Sequence, residues 1–223
     1  MSELEDALKI VESFSSQSGL TKRIAQIEAK LMSKDKETVT RFLNNEGIEE
    51  KVLEGALRIK EISGQINVVV HALGILTALP YILDEDEEIS YLSLGAGNTG
   101  RDFDLETNKR IAEFKLINWQ GGAEAIRQNG LFIDFYNLAE HETNKRKCLY
   151  VIDRKYPLRF LNGGRALTSV LSKNQKVANK FFSKYGDRYR VVSEYYNDFS
   201  QKVEILDLRD YIDVFDGRKT DGA

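Results

Sequence analysis

The stretch GRDFDLETNKRIAEFK, residues 100–115, decides how the middle of this chain folds. Polar and apolar residues alternate with a period of two on both sides of Asn108-Lys109, which is typical of two β-strands joined by a two-residue turn. Counting outward from that turn places Asp104 opposite Glu113 on the neighbouring strand. Because side chains alternate between the two faces of a strand, Lys115 lies on the same face as this acidic pair. The other face is predicted to be apolar, with Phe103, Leu105, Ala112 and Phe114.

The acidic pair predicts a cation site. Two carboxylates directly opposite each other repel when both are ionised, and a divalent cation relieves that repulsion. Mg²⁺ takes oxygen ligands, and Lys115 would stabilise charge on a bound phosphate or hold an attacking water. Asp102, which the same count places opposite Lys115, competes with Asp104 for the role of the first aspartate. The pattern therefore predicts a Mg²⁺ or Mn²⁺ site suited to phosphodiester hydrolysis.

Helical spacing dominates the sequence before this hairpin. Residues 1–62 carry apolar side chains at helical intervals with no β-run between them, which predicts a helical arm or cap with a helix end near Gly64. The uncharged stretch from Ile66 to Leu83 is slightly shorter than the ~20 residues that span a bilayer, and it has no basic anchor. We expect a buried helix with His71 in the core, no membrane partner, and an arm available for homodimer formation.

The rest of the chain predicts an α/β fold. Its expected architecture is a mixed central sheet with a helix–three strands–helix–strand core, preceded by the helical N-terminal arm. The expected domains are the arm at residues 1–62, the core at 63–163, and a basic helical and strand extension at 164–223 packed on the core. Further predicted elements are a strand within Ile89–Leu94, a helix Ala123–Glu140, a strand Lys147–Ile152, helices near Ala166–Ser172 and Lys176–Tyr185, and strands Tyr189–Glu194 and Val203–Leu208.

The charge distribution favours a polyanionic partner. The chain has a net charge of −3, yet the segment from Asn144 to Val191 contains thirteen Lys or Arg and only two Asp or Glu. One basic face on an acidic protein is typical of nucleic-acid binding, whereas lysines spread over solvated helices give the same count without a partner. One cysteine, Cys148, and an acidic start without a signal sequence predict a cytoplasmic location.

The hairpin resembles the central hairpin of the PD-(D/E)xK, restriction-endonuclease-like nucleases. In that superfamily an Asp on the second core strand and an E-x-K on the third form the active site. The resemblance covers residues 66–152, and Phe103 stands where the superfamily has its namesake proline. It implies that Asp104 and Glu113 ligate Mg²⁺ or Mn²⁺, that the backbone carbonyl of Phe114 adds a ligand, and that Lys115 positions the nucleophile.

Three further residues are predicted to contact nucleic acid. Gln128 lies on the helix after the E-x-K strand, where some exonuclease branches of the superfamily place a Gln followed four residues later by Tyr; here that later residue is Phe132. Arg159 and Arg165 flank Asn162-Gly163-Gly164, a turn whose backbone N–H groups would be offered to a phosphate. We therefore expect a metal-dependent nuclease acting on DNA, with RNA left open. The alternative is a non-catalytic nucleic-acid-binding or protein-interaction module on the same fold.

Overall fold

The computed structural model describes residues 3–15, 20–95, 103–117, 119 and 124–216. The chain divides into two compact units, Met1–Asn67 and Val68–Ala223. The described helices are α1 Glu3–Ser15, α2 Leu20–Leu31, α3 Lys36–Asn45, α4 Glu50–Ile82, α5 Ala125–Glu140, α6 Lys155–Leu161, α7 Leu167–Leu171, α8 Gln175–Tyr185 and α9 Val192–Phe199. The strands are β1 Ile89–Leu92, β2 Leu105–Thr107, β3 Arg110–Lys115, β4 Arg146–Val151 and β5 Glu204–Asp207, and three short 3₁₀ turns lie at Ser200–Lys202, Leu208–Asp210 and Asp213–Asp216.

The first unit is helical, as its apolar spacing predicts. α1 approaches α4 closely at Gly55, where an added Cβ would lie 3.3 Å from the Ala7 carbonyl oxygen. Asp35 begins α3 by accepting a hydrogen bond from the Thr38 N–H at 2.9 Å, which satisfies a backbone donor that the first turn leaves free. These local contacts hold short helices that would be marginal in isolation.

The sequence predicted a helix end near Gly64 and a buried helix from Ile66 to Leu83, and α4 differs from both predictions. It runs without a break through Gly64, because a single glycine in a helix interior costs only about 1 kcal/mol. Burial is also partial: one face of its last turns enters the core through Ile75, Ala78, Leu79 and Ile82, whereas Leu73 is 55% exposed. By length and composition alone this helix could cross a membrane, with a mean hydropathy of 1.6 over its most apolar window.

The sheet confirms the hairpin register read from the alternation. Its five strands lie in the order β1-β2-β3-β4-β5, antiparallel through β3 and parallel from β3 to β5. Leu105 pairs with Ala112 and Glu106 with Ile111, which is the count outward from Asn108-Lys109. The chain therefore has a mixed α/β fold built on a mixed sheet, and the hairpin is at its centre.

Two apolar layers cover the two faces of the sheet. Leu105, Ala112 and Phe114 pack with the C-terminal part of α4, whereas Ile111 packs with α5. Phe103 departs from the prediction, because the chain bends at Asp104 before β2 begins and turns this ring toward the α5 layer, against His141 at 4.9 Å. The face that carries Glu113 and Lys115 is thus the face beneath α5.

The C-terminal part of the chain completes this second layer. Helices α6 to α9 share one aromatic-rich core with α5, and β5 pairs with β4 as the strand predicted at Val203–Leu208. The strand predicted at Tyr189–Glu194 is wrong. Glu194 accepts hydrogen bonds from the N–H groups of Arg190 and Val191, which begins helix α9 at Val192 and leaves only an isolated bridge to Ala166.

A buried ion pair fastens the hairpin to the segment before β1. The Arg110 side chain is 2% exposed, and it donates to both carboxylate oxygens of Glu87 and to the Tyr150 hydroxyl at 2.9 Å. Although burial opposes ionisation, hydrogen bonds from Arg110 and Thr107 lower the pKa of Glu87 to about 2. The pair is fully hydrogen-bonded, so removing one partner leaves a buried charge without compensation.

We expect Arg110→Met to destabilise the protein by about 3–5 kcal/mol in urea unfolding, because Glu87 stays buried without its partner. The double variant Arg110→Met/Glu87→Gln should recover part of that loss. Arg146 is the matched control: it is the cross-strand neighbour of Arg110, is 45% exposed and pairs with Glu204, so Arg146→Met should cost no more than about 1 kcal/mol. Equal losses of unfolding free energy in Arg110→Met and Arg146→Met would contradict the stabilising role of the buried Arg110–Glu87 pair.

Candidate active site

Asp104 is fixed at the entrance to β2 by contacts from three directions. Its N–H donates to the Ala112 carbonyl at 3.1 Å, and its Oδ2 accepts from the Phe114 N–H at 3.0 Å. Its Oδ1 lies 3.5 Å from Nε2 of His71 on α4. His71, expected to be a plain core residue, therefore belongs to the site, and the carboxylate of Asp104 is held in one orientation.

Asp104 and Glu113 share a proton rather than carrying two charges. Burial opposes the ionisation of Asp104, but hydrogen bonds from His71, Glu113 and the Phe114 N–H hold its pKa below the ordinary value. Burial, together with repulsion from Asp134 and Asp104, raises the pKa of Glu113 to about 10. At neutral pH the Glu113 carboxyl thus keeps its proton and donates it to the Asp104 carboxylate, so the proton takes the place of a cation between them.

Lys115 lies beneath α5 in an ion pair that the sequence did not suggest. Its Nζ is 2.5 Å from Oδ2 of Asp134, and a Cβ added at Gly130 would lie 3.9 Å from the same nitrogen. Burial disfavours the charged lysine, but Asp134, Glu113 and Asp104 outweigh it and raise the pKa of Lys115. The lysine therefore stays a cation within an acidic cluster, as its predicted role requires.

Asp134 could have been found from helical spacing. It stands three residues after Leu131 and four before Leu138, on the stripe of α5 that the apolar pattern marks as buried. A carboxylate on a buried stripe needs a partner, because an isolated buried charge is costly. That conflict points to a lysine or arginine on the element that α5 covers, which is Lys115 on β3.

The Phe114 backbone carbonyl points toward Asp104. Within a strand, the N–H and C=O of one residue point to the same neighbour. The Phe114 N–H is directed at the Asp104 carboxylate, so its carbonyl oxygen faces the same edge, next to the start of β2 at Leu105. The three predicted ligand groups of Asp104, Glu113 and Phe114 thus lie at one edge of the hairpin. Asp102, the competing aspartate, lies outside the described residues.

All three residues predicted to contact nucleic acid line one cavity of about 410 Å³, together with Trp119. Gln128 accepts a hydrogen bond from the Arg165 guanidinium, and Arg159 is exposed on α6. One backbone donor of the glycine turn is already used, because the Gly163 N–H donates to the Phe160 carbonyl at 2.9 Å and closes α6. This backbone donor is therefore not offered to a phosphate.

Much of the basic segment is paired with acids of the chain itself. Ion pairs join Lys145 with Glu106, Arg146 with Glu204, Lys184 with Glu140 and Arg188 with Asp198. These cations help to hold the fold, as exposed pairs do, and are partly neutralised. The local excess of positive charge is consequently less available to a polyanion than the sequence count suggests.

Comparison of the chain with protein-family models, with curated proteins and with solved structures finds no match. Among the described residues, no group of three or more His, Cys, Asp or Glu side chains is arranged to hold a metal ion. The predicted ligand set does not need such a group, because it consists of two carboxylates and one backbone carbonyl. These are the oxygen donors that Mg²⁺ prefers.

Glu113→Gln should stabilise the metal-free protein increasingly as pH rises. In the unfolded chain a glutamate loses its proton above about pH 4.5, whereas folded Glu113 keeps it up to about pH 10. The unfolded state therefore binds fewer protons in this window, and wild-type stability falls by up to about 1.4 kcal/mol per pH unit. Glutamine mimics the protonated acid and removes that loss.

Urea unfolding in a chelating buffer between about pH 5 and about pH 9 measures this effect. Glu88→Gln is the matched control, because it removes an exposed carboxylate near the same hairpin but outside the cluster. A constant difference between Glu113→Gln and wild type over that range would contradict a shared proton.

Proposed function

We propose that this protein is a Mg²⁺- or Mn²⁺-dependent nuclease of the PD-(D/E)xK type, acting on DNA. The observation that carries the proposal is the buried cluster at the hairpin: the Phe114 N–H holds the Asp104 carboxylate at 3.0 Å, Glu113 lies on the adjacent strand, and Lys115 lies 2.5 Å from Asp134. A structural hairpin has no need to bury two acids and a lysine, because apolar side chains of similar volume would serve at least as well.

The order of elements supports the same proposal. From α4 onward the chain runs helix, three strands, helix, strand, with β1 to β3 antiparallel and β4 parallel to β3. That order agrees with the core that the hairpin resemblance implies. The acidic pair lies where β2 begins, between α5 and α4, so the site sits on rigid elements.

Asp104 and Glu113 would hold the metal with the Phe114 carbonyl, once Glu113 gives up its proton. A bound Mg²⁺ would supply Lewis acidity at the scissile phosphate. Lys115 carries the positive charge that orients a water or stabilises the phosphate oxygens, and Asp134 fixes its position. The Phe114 N–H holds one oxygen of Asp104 in place, and His71 Nε2 lies 3.5 Å from the other.

Cleavage assays on plasmid and linear single-stranded DNA test this function. With Mg²⁺ or Mn²⁺ the wild type should cut, and chelation should abolish cutting. Glu113→Gln should fold, lose most metal-induced thermal stabilisation and lose activity by more than about 100-fold, since outer-sphere partners of a metal alone contribute about 10–100-fold. Lys115→Ala should keep the metal-induced shift yet lose cleavage.

Two outcomes separate the alternatives. Glu88→Gln is the control for charge loss and should cut at the wild-type rate. A wild type that shows no metal-dependent shift, or a Lys115→Ala variant of wild-type activity, would reject the nuclease. Metal-induced stabilisation together with DNA binding but no cleavage would support the non-catalytic binding module instead.

Self-association is a second candidate role, and α4 favours it. Val69, Leu73 and Leu76 follow one another at spacings of four and three residues and are all exposed, which makes a narrow apolar stripe like the seam of a coiled coil. No charged residue occurs between Ile62 and Leu83, so a second copy of this helix meets no like-charge repulsion. We propose that this stripe pairs with its counterpart in a homodimer.

Leu73→Glu should convert a dimer into a monomer in sedimentation velocity, because it puts a charge at the centre of the stripe. Tyr81→Glu is the control: it alters another exposed residue of α4 that lies off the stripe, and it should leave the dimer intact. A wild type that is monomeric at all accessible concentrations would rule out the pairing. A monomer that co-sediments with lipid vesicles would assign the stripe to a membrane.

A further inference from the structure

The cavity that contains the three predicted nucleic-acid contacts has a polar side and an aromatic side. Gln128, Arg159 and Arg165 form the polar side, and Trp119, Tyr156 and Phe160 form the aromatic side. Helix α5 contributes to both places, since Gln128 lines the cavity and Asp134 pairs with Lys115 in the acidic cluster.

The polar wall suits an anion. None of the described residues that line the cavity is acidic. Arg165 is oriented by Gln128, and Arg159 has no hydrogen bond or ion pair with another described residue. Two guanidinium groups with no carboxylate between them match the fork geometry that binds phosphate.

Trp119 lines the cavity with a ring that is largely covered. The residue is 7% exposed, and its indole nitrogen is buried without a hydrogen-bond partner among the described residues. An indole N–H is a donor only, and a buried tryptophan normally finds an acceptor. A ring with an unsatisfied donor is sensitive to changes in its surroundings, which makes Trp119 a reporter on this cavity.

The aromatic wall suits a flat ring. The Trp119 ring lies 6.4 Å from Tyr156 at an interplanar angle of 28° and 6.2 Å from Phe160. Aromatic side chains next to arginines are how proteins receive an unstacked nucleobase, because every base has a π-face. A cavity of about 410 Å³ is within the range of small-molecule sites.

We propose that this cavity binds one unpaired nucleotide, with Arg159 and Arg165 on its phosphate and its base against Tyr156 and Trp119. A base within a duplex cannot enter such a pocket without being unstacked. The substrate class is thus single-stranded nucleic acid or a frayed strand end. This inference rests on the proposed nuclease for its biological sense, but binding to the cavity requires neither metal nor cleavage.

Tryptophan fluorescence tests the inference directly, because Trp119 is the single tryptophan of the chain. The full chain, in a chelating buffer, is titrated with dAMP, with deoxyadenosine and with inorganic phosphate. We expect dAMP to change the emission saturably and to bind more tightly than either fragment. Arg159→Ala and Arg165→Ala should each weaken dAMP binding about 10-fold or more, the loss expected for a hydrogen bond to a charged group.

Arg190→Ala removes an exposed arginine outside the cavity and should bind dAMP like the wild type. The proposed pocket would be rejected if dAMP leaves the emission unchanged, or if the Arg159→Ala and Arg165→Ala variants bind dAMP as tightly as the wild type. Equal affinity for blunt duplex and single-stranded oligonucleotides in the same buffer would overturn the substrate class. The fluorescence titration contains no metal, so it is independent of cleavage. A protein that binds dAMP here but cuts no DNA in the assay with Mg²⁺ or Mn²⁺ would reject the nuclease and keep the nucleotide pocket.

Discussion

The ion pair between Lys115 and Asp134 is the constraint on which the arrangement of this protein depends. The α5 face of the sheet is apolar around Ile111, yet it also buries Glu113 and Lys115. Such charges persist only if every one has a partner. Burial raises the pKa of Asp134, but Lys115 opposes that rise, and their ion pair ties α5 to β3. Glu113 keeps its proton beside the Asp104 carboxylate. The contacts that satisfy the buried polar groups of the site are therefore the same contacts that fix α5 on the sheet.

The local part of this solution was predictable, and the long-range part was not. Alternation around Asn108-Lys109 determines the hairpin register, because a slip of one residue would turn every side chain to the wrong face. His71 reaches the site from α4, whose packing no short pattern describes, whereas Asp134 was detectable from its place on the buried stripe of α5. The segment Tyr189–Glu194 contains strand-forming residues. Glu194 nevertheless accepts hydrogen bonds from the N–H groups of Arg190 and Val191 at a helix start, so helix capping outweighs the β-propensity of the segment.

The number of Lys and Arg residues in a segment likewise does not show how many of them remain unpaired after folding. The excess of Lys and Arg between Asn144 and Val191 suggested one continuous basic face. In the folded chain several of these cations neutralise acids from distant segments, such as Lys184 with Glu140. The fold also brings two arginines together with aromatic rings at one cavity. The proposed nucleotide would be recognised there by a few placed groups rather than by the overall charge of the segment.

The position of β5 in the sheet has a consequence for biosynthesis. β4 pairs with β3 on one side and with β5 on the other. β5 begins at Glu204, 53 residues after β4 ends at Val151. At about 5–20 residues per second, a ribosome needs about 3–10 s to make that connection. During this interval the nascent chain presents an unpaired, apolar strand edge, the kind of surface that pairs with other chains. Newly made protein should accordingly depend on chaperones most strongly just before its last strand emerges.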